Sequence, residues 1–469
     1  MVSGATQKRA KGTKRKRTKK AAADACKLRE RRQWRLINFG KESFKRPHAI
    51  REKRHLCFNV RKGGQRASLL EIFLKFLPPA FVTKIASEIP EHELRYFNGW
   101  TLRLSLKKIY CILAIKIRIY GEQCVPVSVK ARTRPLRLQI KAFKKYFEEK
   151  YLVKTFGIVG CELVLSHFLV DSTYLEELSA NFMSIVRHIG TYVAGDEKLL
   201  RFFGESDNVR VVFSKPDRVG LWFYQLASIL SNGLSYLLHL CLHDVSKLDE
   251  GSFPVSQVVQ MWCRHVLDGP YVDKDVDTLL VFDSFYHSSS TREFLNRQNV
   301  KYIGAVHPNR FKLQTDMLKK KIRKVGDFAG VYNKTTGEII VQYYAKPQHG
   351  QKDAKIRTAM SNAYTRYGRR GTHHHRPAID AYKKKFGVCD LFNRQIKYRI
   401  WPHKHGGKGV KGERGKQDSF AFGCILQNTF NAYRDINDIT SEEYDYHSFC
   451  MQLADQVYMY ALEQSTATI

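Results

Sequence analysis

Three aspartates in this sequence have the residue type and the setting that metal-dependent phosphate chemistry requires. Asp196 lies in YVAGDEKLLRFFG, Asp283 in TLLVFDSFYHSS and Asp390 in KKFGVCDLFN. The first two lie in or just after short apolar runs typical of strands, and the third lies in a stretch that predicts a helix. Carboxylates at strand ends and on a facing helix can hold two divalent metal ions for phosphoryl transfer. Any one of them alone could instead be a helix cap, a turn residue or a salt-bridge partner.

The composition of the chain favours a polyanionic partner. Its 469 residues suffice for several domains, and their formal net charge is +36. A charge of this size favours nucleic acid, bound with a salt-dependent affinity, so a nucleic-acid phosphodiester is the expected substrate. A basic protein that binds acidic proteins or a membrane surface is the alternative.

Residues 1–66 form a strongly basic arm. Its 23 lysines and arginines and 4 acidic residues give a local charge of 23 − 4 = +19. Like charges at this density repel one another, so the arm is predicted to be disordered when free. It could serve as a nuclear-import signal, as a clamp on DNA phosphates or as a solubilising tail.

The hydrophobic pattern and the cysteines argue against membrane and zinc-binding proteins. No run of about 20 uninterrupted apolar residues is present, so no membrane partner is expected. The nearest candidate, residues 226–243, is interrupted by polar residues and predicts a buried helix, and the N-terminus lacks the apolar core of a secretory signal. The ten cysteines never pair at the spacing of zinc ligands, which predicts reduced thiols and no structural zinc site.

The sequence after the arm divides into segments with different hydrophobic patterns. Residues 67–187 carry apolar residues at three- and four-residue intervals, which predicts a helical domain for dimerisation or DNA contact. Residues 188–304 alternate strand-like runs with helical segments, which predicts the first part of an α/β core. In residues 305–375 the turn NKTTGE lies between alternating runs, which predicts a β-hairpin and so a β-rich insertion. Residues 376–440 predict the last part of the core, and residues 441–469 a helical tail.

Two polar segments near the third aspartate are predicted to be loops. Residues 403–418, HKHGGKGVKGERGKQD, are rich in Gly and Lys and predict a mobile loop. His373, His374 and His375 are adjacent in sequence, and adjacent histidines rarely converge on one ion, so an exposed polar loop is favoured over a metal site. From Pro377 onwards the sequence predicts one helix that carries Asp390.

Four sequence blocks resemble, in order, the catalytic region of piggyBac-type transposases. The blocks are GDEKLLRFFGES, FSKPDRVGLWFYQLA, VFDSFYHSSSTREFLNRQNVKYIGAVHPNR, and FGVCDLFN followed by RIWP. They lie within residues 190–435, and the three aspartates are separated by 87 residues (196 to 283) and 107 residues (283 to 390). One block alone is a weak signal, but the order and spacing of all four identify the chain as a member of this family.

The resemblance implies an RNase H-like fold whose aspartates form a DDD metal site for Mg²⁺ or Mn²⁺. Asp196 would bridge two metal ions, and Asp283 and Asp390 would each complete one coordination sphere. The implied reaction is cut-and-paste transposition, with cleavage at the transposon ends through hairpins and joining to a TTAA target. Because two ends of double-stranded DNA must be paired, a homodimer is expected. The basic arm and this substrate together predict a nuclear protein.

A further set of residues is predicted to contact DNA. Trp401 matches the Trp-Pro pair of the family and could stack on a flipped or hairpin base, although a core tryptophan is equally consistent. The cations of this set would bind phosphates, or else lie on a solvated surface. The complete set is Arg210, Lys215, Arg218, Arg310, Trp401, Lys404, Lys408 and Lys411.

Departures from the family pattern leave a second reading open. Asn393 stands where the family often has a further acid, three positions after Asp390, and its amide oxygen could bind a metal without charge. Cys389 would favour softer metals only if its thiol faced the site. The cysteine-rich, zinc-binding C-terminal domain of the family has no counterpart. The alternatives are a domesticated, transposase-derived DNA-binding protein with little or no catalysis, and a nuclease of the same fold.

Overall fold

A computed structural model of the chain describes most of the regions after the basic arm. The described residues are 33–36, 55–59, 67–89, 104–122, 172–204, 206–213, 218–243, 255–264, 278–307, 309–345, 347, 355–363, 369–370, 373–374, 382–383, 385–396, 410–440 and 444–464. They fall into two compact units. One is drawn from residues 53–278 and 387–469, here the Asp196 unit, and the other from residues 1–52 and 279–386, here the Asp283 unit.

The helices of the described residues are numbered along the chain. They are α1 (Leu69–Phe76), α2 (Pro79–Ser87), α3 (Leu106–Glu122), α4 (Ser172–Ser184), α5 (Val255–Trp262), α6 (Ser289–Arg297), α7 (Lys312–Lys319), α8 (Val388–Ile396), α9 (Val410–Ile436) and α10 (Tyr446–Glu463).

The strands are numbered in the same way. They are β1 (Trp34–Leu36), β2 (Cys57–Phe58), β3 (Val186–His188), β4 (Tyr192–Arg201), β5 (Val209–Val211), β6 (Val219–Ile229), β7 (Ser235–Leu242), β8 (Leu279–Phe282), β9 (Lys301–Ala305), β10 (Phe328–Asn333), β11 (Ile339–Ala345), β12 (Lys355–Ser361), β13 (Arg369–Arg370) and β14 (His373–His374).

The sheet of the Asp196 unit is built around β6. Strand β4 pairs antiparallel with β6 along one side, and β5 and β7 share its other side, also antiparallel. Helix α8 packs on β4, β6 and β7, and α9 packs on β7. Residues on both faces of β6 are buried, which agrees with its nearly continuous apolar sequence.

Residues 226–243 form the end of β6, a tight turn and β7, so the prediction of a buried helix there is wrong. The Leu230 amide donates to the Leu234 carbonyl at 2.8 Å, and Gly233 has φ +80°, a value that an L side chain disfavours. The Asn232-Gly233 pair therefore reverses the chain where a helix would have continued. A mostly apolar segment of this kind does not distinguish a buried strand from a buried helix by its sequence pattern.

Helix α9 begins at Val410, so the mobile loop predicted for residues 403–418 is wrong for its second half. Glu413 and Asp418 are both buried. The Glu413 Oε1 atom accepts a hydrogen bond from Asn208 Nδ2 at 3.0 Å, and Asp418 pairs with Lys116 of α3 at 2.5 Å. These tertiary contacts stabilise the first turns of α9 in spite of the two glycines there. Residues 403–409 lie outside the described residues.

The sheet of the Asp283 unit has the strand order β1-β10-β11-β12-β9-β8. All neighbours are antiparallel except β8 and β9, which are parallel and joined by α6. A parallel pair needs such a crossover helix, whereas the other strands can be joined by turns. The β-rich segment does not form a separate sheet, because β12 pairs with β9 of the predicted core.

The predicted hairpin over NKTTGE is confirmed. Strands β10 and β11 pair with Tyr332 opposite Ile339, and Gly337 has the positive φ (+72°) that the turn requires. The Asn333 side chain accepts hydrogen bonds from the amides of Thr335 and Thr336. The Asn side chain therefore stabilises the turn that the sequence pattern indicated.

Two predictions around residues 369–387 need correction. His373 and His374 form β14, which pairs antiparallel with β13, so they are not in a loop. The helix predicted from Pro377 is interrupted, because residues 386–387 are in a turn and the Leu391 amide donates to the Gly387 carbonyl in the first turn of α8.

Within residues 67–187 the structure describes the four helices α1 to α4, and β3 begins at Val186. Helix α1 begins with a capping box, in which Ser68 Oγ accepts from the Glu71 amide at 3.1 Å and Glu71 Oε2 accepts from the Ser68 amide at 2.9 Å. The helix predicted over PLRLQIKAFKKYFEEKYL and most of the basic arm lie outside the described residues. Within the arm, β1 pairs with β10 and β2 pairs with β3, so the prediction of a disordered arm is wrong for these two strands. In the described part of the chain no helix has the length and apolarity needed to cross a membrane.

Candidate active site

Asp196 lies in the middle of β4, the strand predicted for it. It stands directly opposite Gln225 of β6 in the antiparallel register, so both side chains lie on one face of the sheet. Asp196 is 7% exposed, and its Oδ1 atom accepts a hydrogen bond from the Glu197 amide at 2.8 Å. A carboxylate in such a buried position depends on its partners, because burial removes most of its hydration.

Gly195 allows a tryptophan to pack behind Asp196. A Cβ atom at residue 195 would lie 2.3 Å from Cζ3 of Trp262, the last residue of α5. Successive residues of a strand point to opposite faces, so Trp262 covers one face while Asp196 faces the other. The Gly-Asp pair therefore combines close packing on one side of β4 with a carboxylate on the other.

Helix α8 brings Asp390 to the same part of the sheet. Cys389 is buried, and its Sγ atom donates to the carbonyl oxygen of Ala194, two residues before Asp196, at 3.1 Å. Burial, and then the negative charges of Asp196 and Asp390, hold the pKa of the Cys389 thiol well above its usual range. Two carboxylates that are 194 residues apart in sequence (196 to 390) thus both raise the pKa of one thiol. Because that thiol stays protonated, it is a poor ligand for soft metals.

Two buried amides lie beside these carboxylates. Asn393 is 8% exposed and lies one turn after Cys389, on the helix face that packs on the sheet. Its Oδ1 atom has no hydrogen-bond partner in the described part of the chain, and neither has the side-chain oxygen or nitrogen of fully buried Gln225. Buried amide atoms are normally paired, so these orphaned atoms indicate a site built for a further partner.

The donor set of the Asp196 unit fits a hard divalent cation. Asp196 and Asp390 supply carboxylate oxygens, and Asn393 supplies an unpaired amide oxygen, which are the ligand types that Mg²⁺ takes. Asp390 is exposed, so a metal on its carboxylate could keep several water ligands. The described residues contain no group of three or more His, Cys, Asp or Glu placed to hold a metal ion. The candidate set in this unit therefore has two carboxylates and one amide oxygen.

Asp283 follows β8 directly, as predicted, in the Asp283 unit. Its Oδ1 atom accepts from the Ser284 amide, and the next residues form turns. Arg310 closes this loop, because its Nη1 atom donates to the carbonyl oxygens of Ser284, Phe285 and His287 at 2.8, 3.0 and 3.0 Å. This structural task of Arg310 was not evident from the sequence. A phosphate contact through its remaining N–H groups stays a prediction.

His287 ends the same loop in a fully buried position. Its Nδ1 atom lies 3.0 Å from the Ala305 carbonyl, and burial is the main reason why its pKa falls to about 3. The ring is therefore neutral near pH 7, with Nδ1–H donating to Ala305. Its Nε2 atom has no hydrogen-bond partner in the described residues. Gly304 is needed here, because a Cβ atom would lie 2.6 Å from a Phe282 ring carbon and 2.8 Å from His287 Nδ1.

The remaining predicted DNA contacts are only partly described. Arg210 lies in β5, where its Nη1 atom donates to the carbonyls of Asp207 and Val209, and Arg218 is exposed just before β6. Lys411 lies in the first turn of α9. The residues outside the described part of the chain are Lys215, Trp401, Lys404 and Lys408. The phosphate and base contacts of this set stay predictions.

The comparisons with known proteins agree with this architecture. The sequence model of the family Transposase IS4 matches residues 172–429. A cryo-EM structure of a piggyBac transposase synaptic complex with hairpin DNA has a similar fold, with a TM-score of 0.59 and 13% sequence identity over 89% of this chain and 85% of that chain. A search of curated proteins finds no match. The predicted α/β, RNase H-like fold is confirmed by its similarity to the piggyBac transposase structure, and the predicted membership of a transposase family is confirmed by the family match. Because the family match spans 258 of 469 residues (172 to 429), the chain belongs to the IS4 transposase family.

Proposed function

We propose that this transposase cleaves and joins DNA strands through Asp196, Asp283 and Asp390. The observation that carries the proposal is the packing of α8 on β4, which makes Asp196 and Asp390 act on the same thiol, Cys389. Asp283 supports it from its own unit, because it follows β8 directly in a loop that Arg310 closes. Membership of a transposase family supports phosphoryl transfer as the reaction.

Asp196, Asp390 and Asn393 would hold Mg²⁺ or Mn²⁺, and Asp283 is proposed as the third acid of the triad. Bound divalent ions lower the pKa of an attacking water or 3′-hydroxyl and stabilise the leaving 3′-oxygen. The chain itself contributes rigidity. Asp196 is fixed within a paired strand, and the start of α8 is fixed by the bond from Cys389 to Ala194. Carboxylates held in this way need little reorganisation when charge develops on the phosphate.

The proposed substrate is double-stranded DNA with paired transposon ends. The net charge of +36 favours a polyanion, and the similar piggyBac structure is a synaptic complex with hairpin DNA. By the resemblance of the catalytic blocks, cleavage passes through hairpins and joining uses a TTAA target. Pairing of two ends implies a homodimer, and the basic arm of residues 1–66 implies nuclear import.

A DNA-binding protein with little or no catalysis is the second candidate. The observation that favours it is Asn393, which supplies an uncharged oxygen where the resembled family often has an acid. A neutral ligand attracts a divalent cation less than a carboxylate does. This reading keeps the DNA contacts and removes the requirement for a working metal site.

The test is nicking of supercoiled plasmid by the purified chain with Mg²⁺ or Mn²⁺. We expect nicking that Asp196→Asn and Asp390→Asn reduce by at least ~100-fold, the upper end of the losses caused even by outer-shell metal partners. The matched control is Asp316→Asn, an exposed residue of α7 paired with Lys319, which should nick at the original rate. Sequencing of joined products would test the TTAA target.

Two outcomes contradict the proposed catalysis. Equal nicking by the original chain and Asp196→Asn would place the activity elsewhere. Salt-sensitive DNA binding without nicking, on plasmids with and without transposon ends, would support the second candidate.

A further inference from the structure

The two most exposed large hydrophobic side chains of the described residues lie close together in sequence. Phe213 is 79% exposed and Phe203 is 71% exposed, and Val211 between them is 56% exposed. Large aromatic rings are normally buried, and scattered exposure of single residues needs no explanation. Three exposed hydrophobic residues, two of them phenylalanines, thus lie within eleven positions (203 to 213). They are here called the Phe203/Phe213 patch.

The strand pairing brings both phenylalanines to one end of the Asp196 sheet. Arg201 of β4 and Arg210 of β5 are each in register with Gly220, on opposite sides of β6. Phe203 follows β4 by two residues and Phe213 follows β5 by two residues. Both strands therefore end beside the start of β6.

Glycine is required at residue 220, which lies between Arg201 and Arg210 across the sheet. A Cβ atom at residue 220 would lie 2.2 Å from the carbonyl oxygen of Leu200. Because Gly220 has no side chain, no group of β6 separates Arg201 from Arg210 on their shared face. The sheet end thus carries one arginine on each side of a residue that has no side chain.

The charges around the patch favour an anion. The described residues between 201 and 220 include three arginines, Arg201, Arg210 and Arg218, and one aspartate, Asp207, which gives 3 − 1 = +2. The Arg201 guanidinium lies 4.8 Å from the centre of the Phe203 ring. Burial, and then the charge of Arg201, lower the pKa of Lys416, so a further cation of α9 lies nearby.

We propose that the Phe203/Phe213 patch binds unpaired nucleotides of a DNA strand, which rests on the DNA substrate proposed above. Bases would stack on the two rings, and the arginines would bind the flanking phosphates. In a duplex the faces of each base are covered by the neighbouring bases. A phenylalanine ring therefore finds no base face to stack on in duplex DNA. Unpaired nucleotides at a strand end, a hairpin or an opened duplex expose those faces.

A second copy of the chain is a weaker explanation for the patch. Twofold contacts place the same surface of both subunits face to face. Arginines at the edge of the patch would then meet the arginines of the partner, and like charges in contact oppose association. A DNA strand instead offers phosphates to the arginines and apolar base faces to the rings.

The experiment compares binding of a single-stranded oligothymidylate and a duplex of the same length by fluorescence anisotropy. Phe203→Ala and Phe213→Ala are the variants, and Met459→Ala, a 58% exposed residue of α10, is the matched control. Loss of one stacked base should weaken single-strand binding by about 5- to 150-fold. Duplex binding and the melting temperature should stay unchanged, because exposed rings contribute little to folding.

Four results would overturn the assignment of the patch. Unchanged single-strand binding in both variants would remove the stacking role. Equal weakening for single strand and duplex would show a general effect on phosphate binding. A change of oligomeric state in sedimentation, with single-strand binding intact, would assign the patch to contacts between chains. An original chain that binds neither DNA would contradict the proposed substrate as well, which separates the two failures.

Discussion

The Cys389 thiol donates to the Ala194 carbonyl oxygen across 3.1 Å, so the start of α8 is fixed against β4 two residues before Asp196. The thiol is buried and its pKa is raised, chiefly by burial. A neutral, compact donor is therefore what fits between the helix and the strand. The distance between the carboxylates of Asp196 and Asp390 depends on this contact. Asp390 directly follows Cys389, and Asp196 lies two residues after Ala194.

Replacement of Cys389 should separate the effect of volume from the effect of the hydrogen bond. Cys389→Ser keeps a donor and should retain nicking. Cys389→Leu overfills the space and should cost ~1–3 kcal/mol of unfolding free energy and displace α8, with loss of nicking. The exposed Cys57 gives the control Cys57→Leu, which should change neither quantity. Nicking by Cys389→Leu at the original rate would show that the position of α8 is not critical.

Asn393→Asp should strengthen metal binding. The Oδ1 atom of Asn393 is buried and has no partner in the described residues, so a carboxylate there could be neutralised by a cation. We expect the Mg²⁺ concentration for half-maximal nicking to fall by roughly tenfold, which corresponds to ~1.4 kcal/mol. Asn393→Leu, which removes the oxygen, should raise the Mg²⁺ concentration for half-maximal nicking. Identical Mg²⁺ dependence in all three proteins would remove Asn393 from the metal site.

Gly195→Ala should destabilise the Asp196 unit through Trp262. The new methyl group would lie 2.3 Å from the tryptophan ring, so the ring or β4 must move, at a cost of ~1–3 kcal/mol. Trp262→Leu should reduce that cost when the two changes are combined, which a double-mutant cycle in urea would measure. Gly387→Ala is the control, because a Cβ atom there would meet nothing within 4 Å. Strict additivity of Gly195→Ala and Trp262→Leu would contradict the contact.

The buried ion pair of Lys116 and Asp418 should be costly to break from one side. Burial raises the pKa of Asp418 to about 6 and lowers the pKa of Lys116, so each ion depends on the other. Lys116→Met should cost ~3–5 kcal/mol, and the double change with Asp418→Leu should recover most of it. The exposed pair of Lys84 and Glu177 is the control, and Lys84→Met should cost at most about 1 kcal/mol. No recovery in the double variant would show that the pair matters for more than charge balance.

The sequence predicted the strands that carry or precede Asp196 and Asp283 better than the neighbouring turn and helices. Strands β4 and β8 were predicted because Asp196 and Asp283 lie in or just after short apolar runs. Asp196 and Asp283 were thereby placed correctly relative to β4 and β8. The pattern of residues 226–243, with its few polar interruptions, fitted a buried helix, and the pair Asn232-Gly233 was the available signal for a hairpin.

Long-range partners explain most of what the sequence did not predict. Residues 410–418 have the composition of a loop, and they are helical because Glu413 and Asp418 find partners far away in sequence. Gln225 was overlooked, although a lone amide within the apolar run LWFYQLASIL was a usable signal for a site. The task of Arg310 depends on three carbonyl positions, which residue type and spacing do not specify.

His287 should make the stability of the chain fall at acid pH. Its folded pKa, about 3, lies below the ordinary value of 6.5, so the unfolded chain binds a proton first as the pH falls. The stabilisation is complete above pH 6.5 and is lost as the pH falls towards 3. Between pH 7.5 and pH 5 the loss covers 6.5 − 5 = 1.5 pH units, or roughly 2 kcal/mol.

Urea unfolding at pH 7.5 and pH 5 measures this loss, and His287→Asn isolates it. Asn keeps a donor for the Ala305 carbonyl and does not titrate, so the variant should lose roughly 2 kcal/mol less than the original chain over this range. His307→Asn, at an exposed histidine, should leave the pH dependence unchanged. Equal pH dependence of all three proteins would mean that the His287 ring is hydrated. Because His287 ends the loop that begins at Asp283, acid that charges this ring should also disorder that loop and stop nicking before the Asp196 unit unfolds.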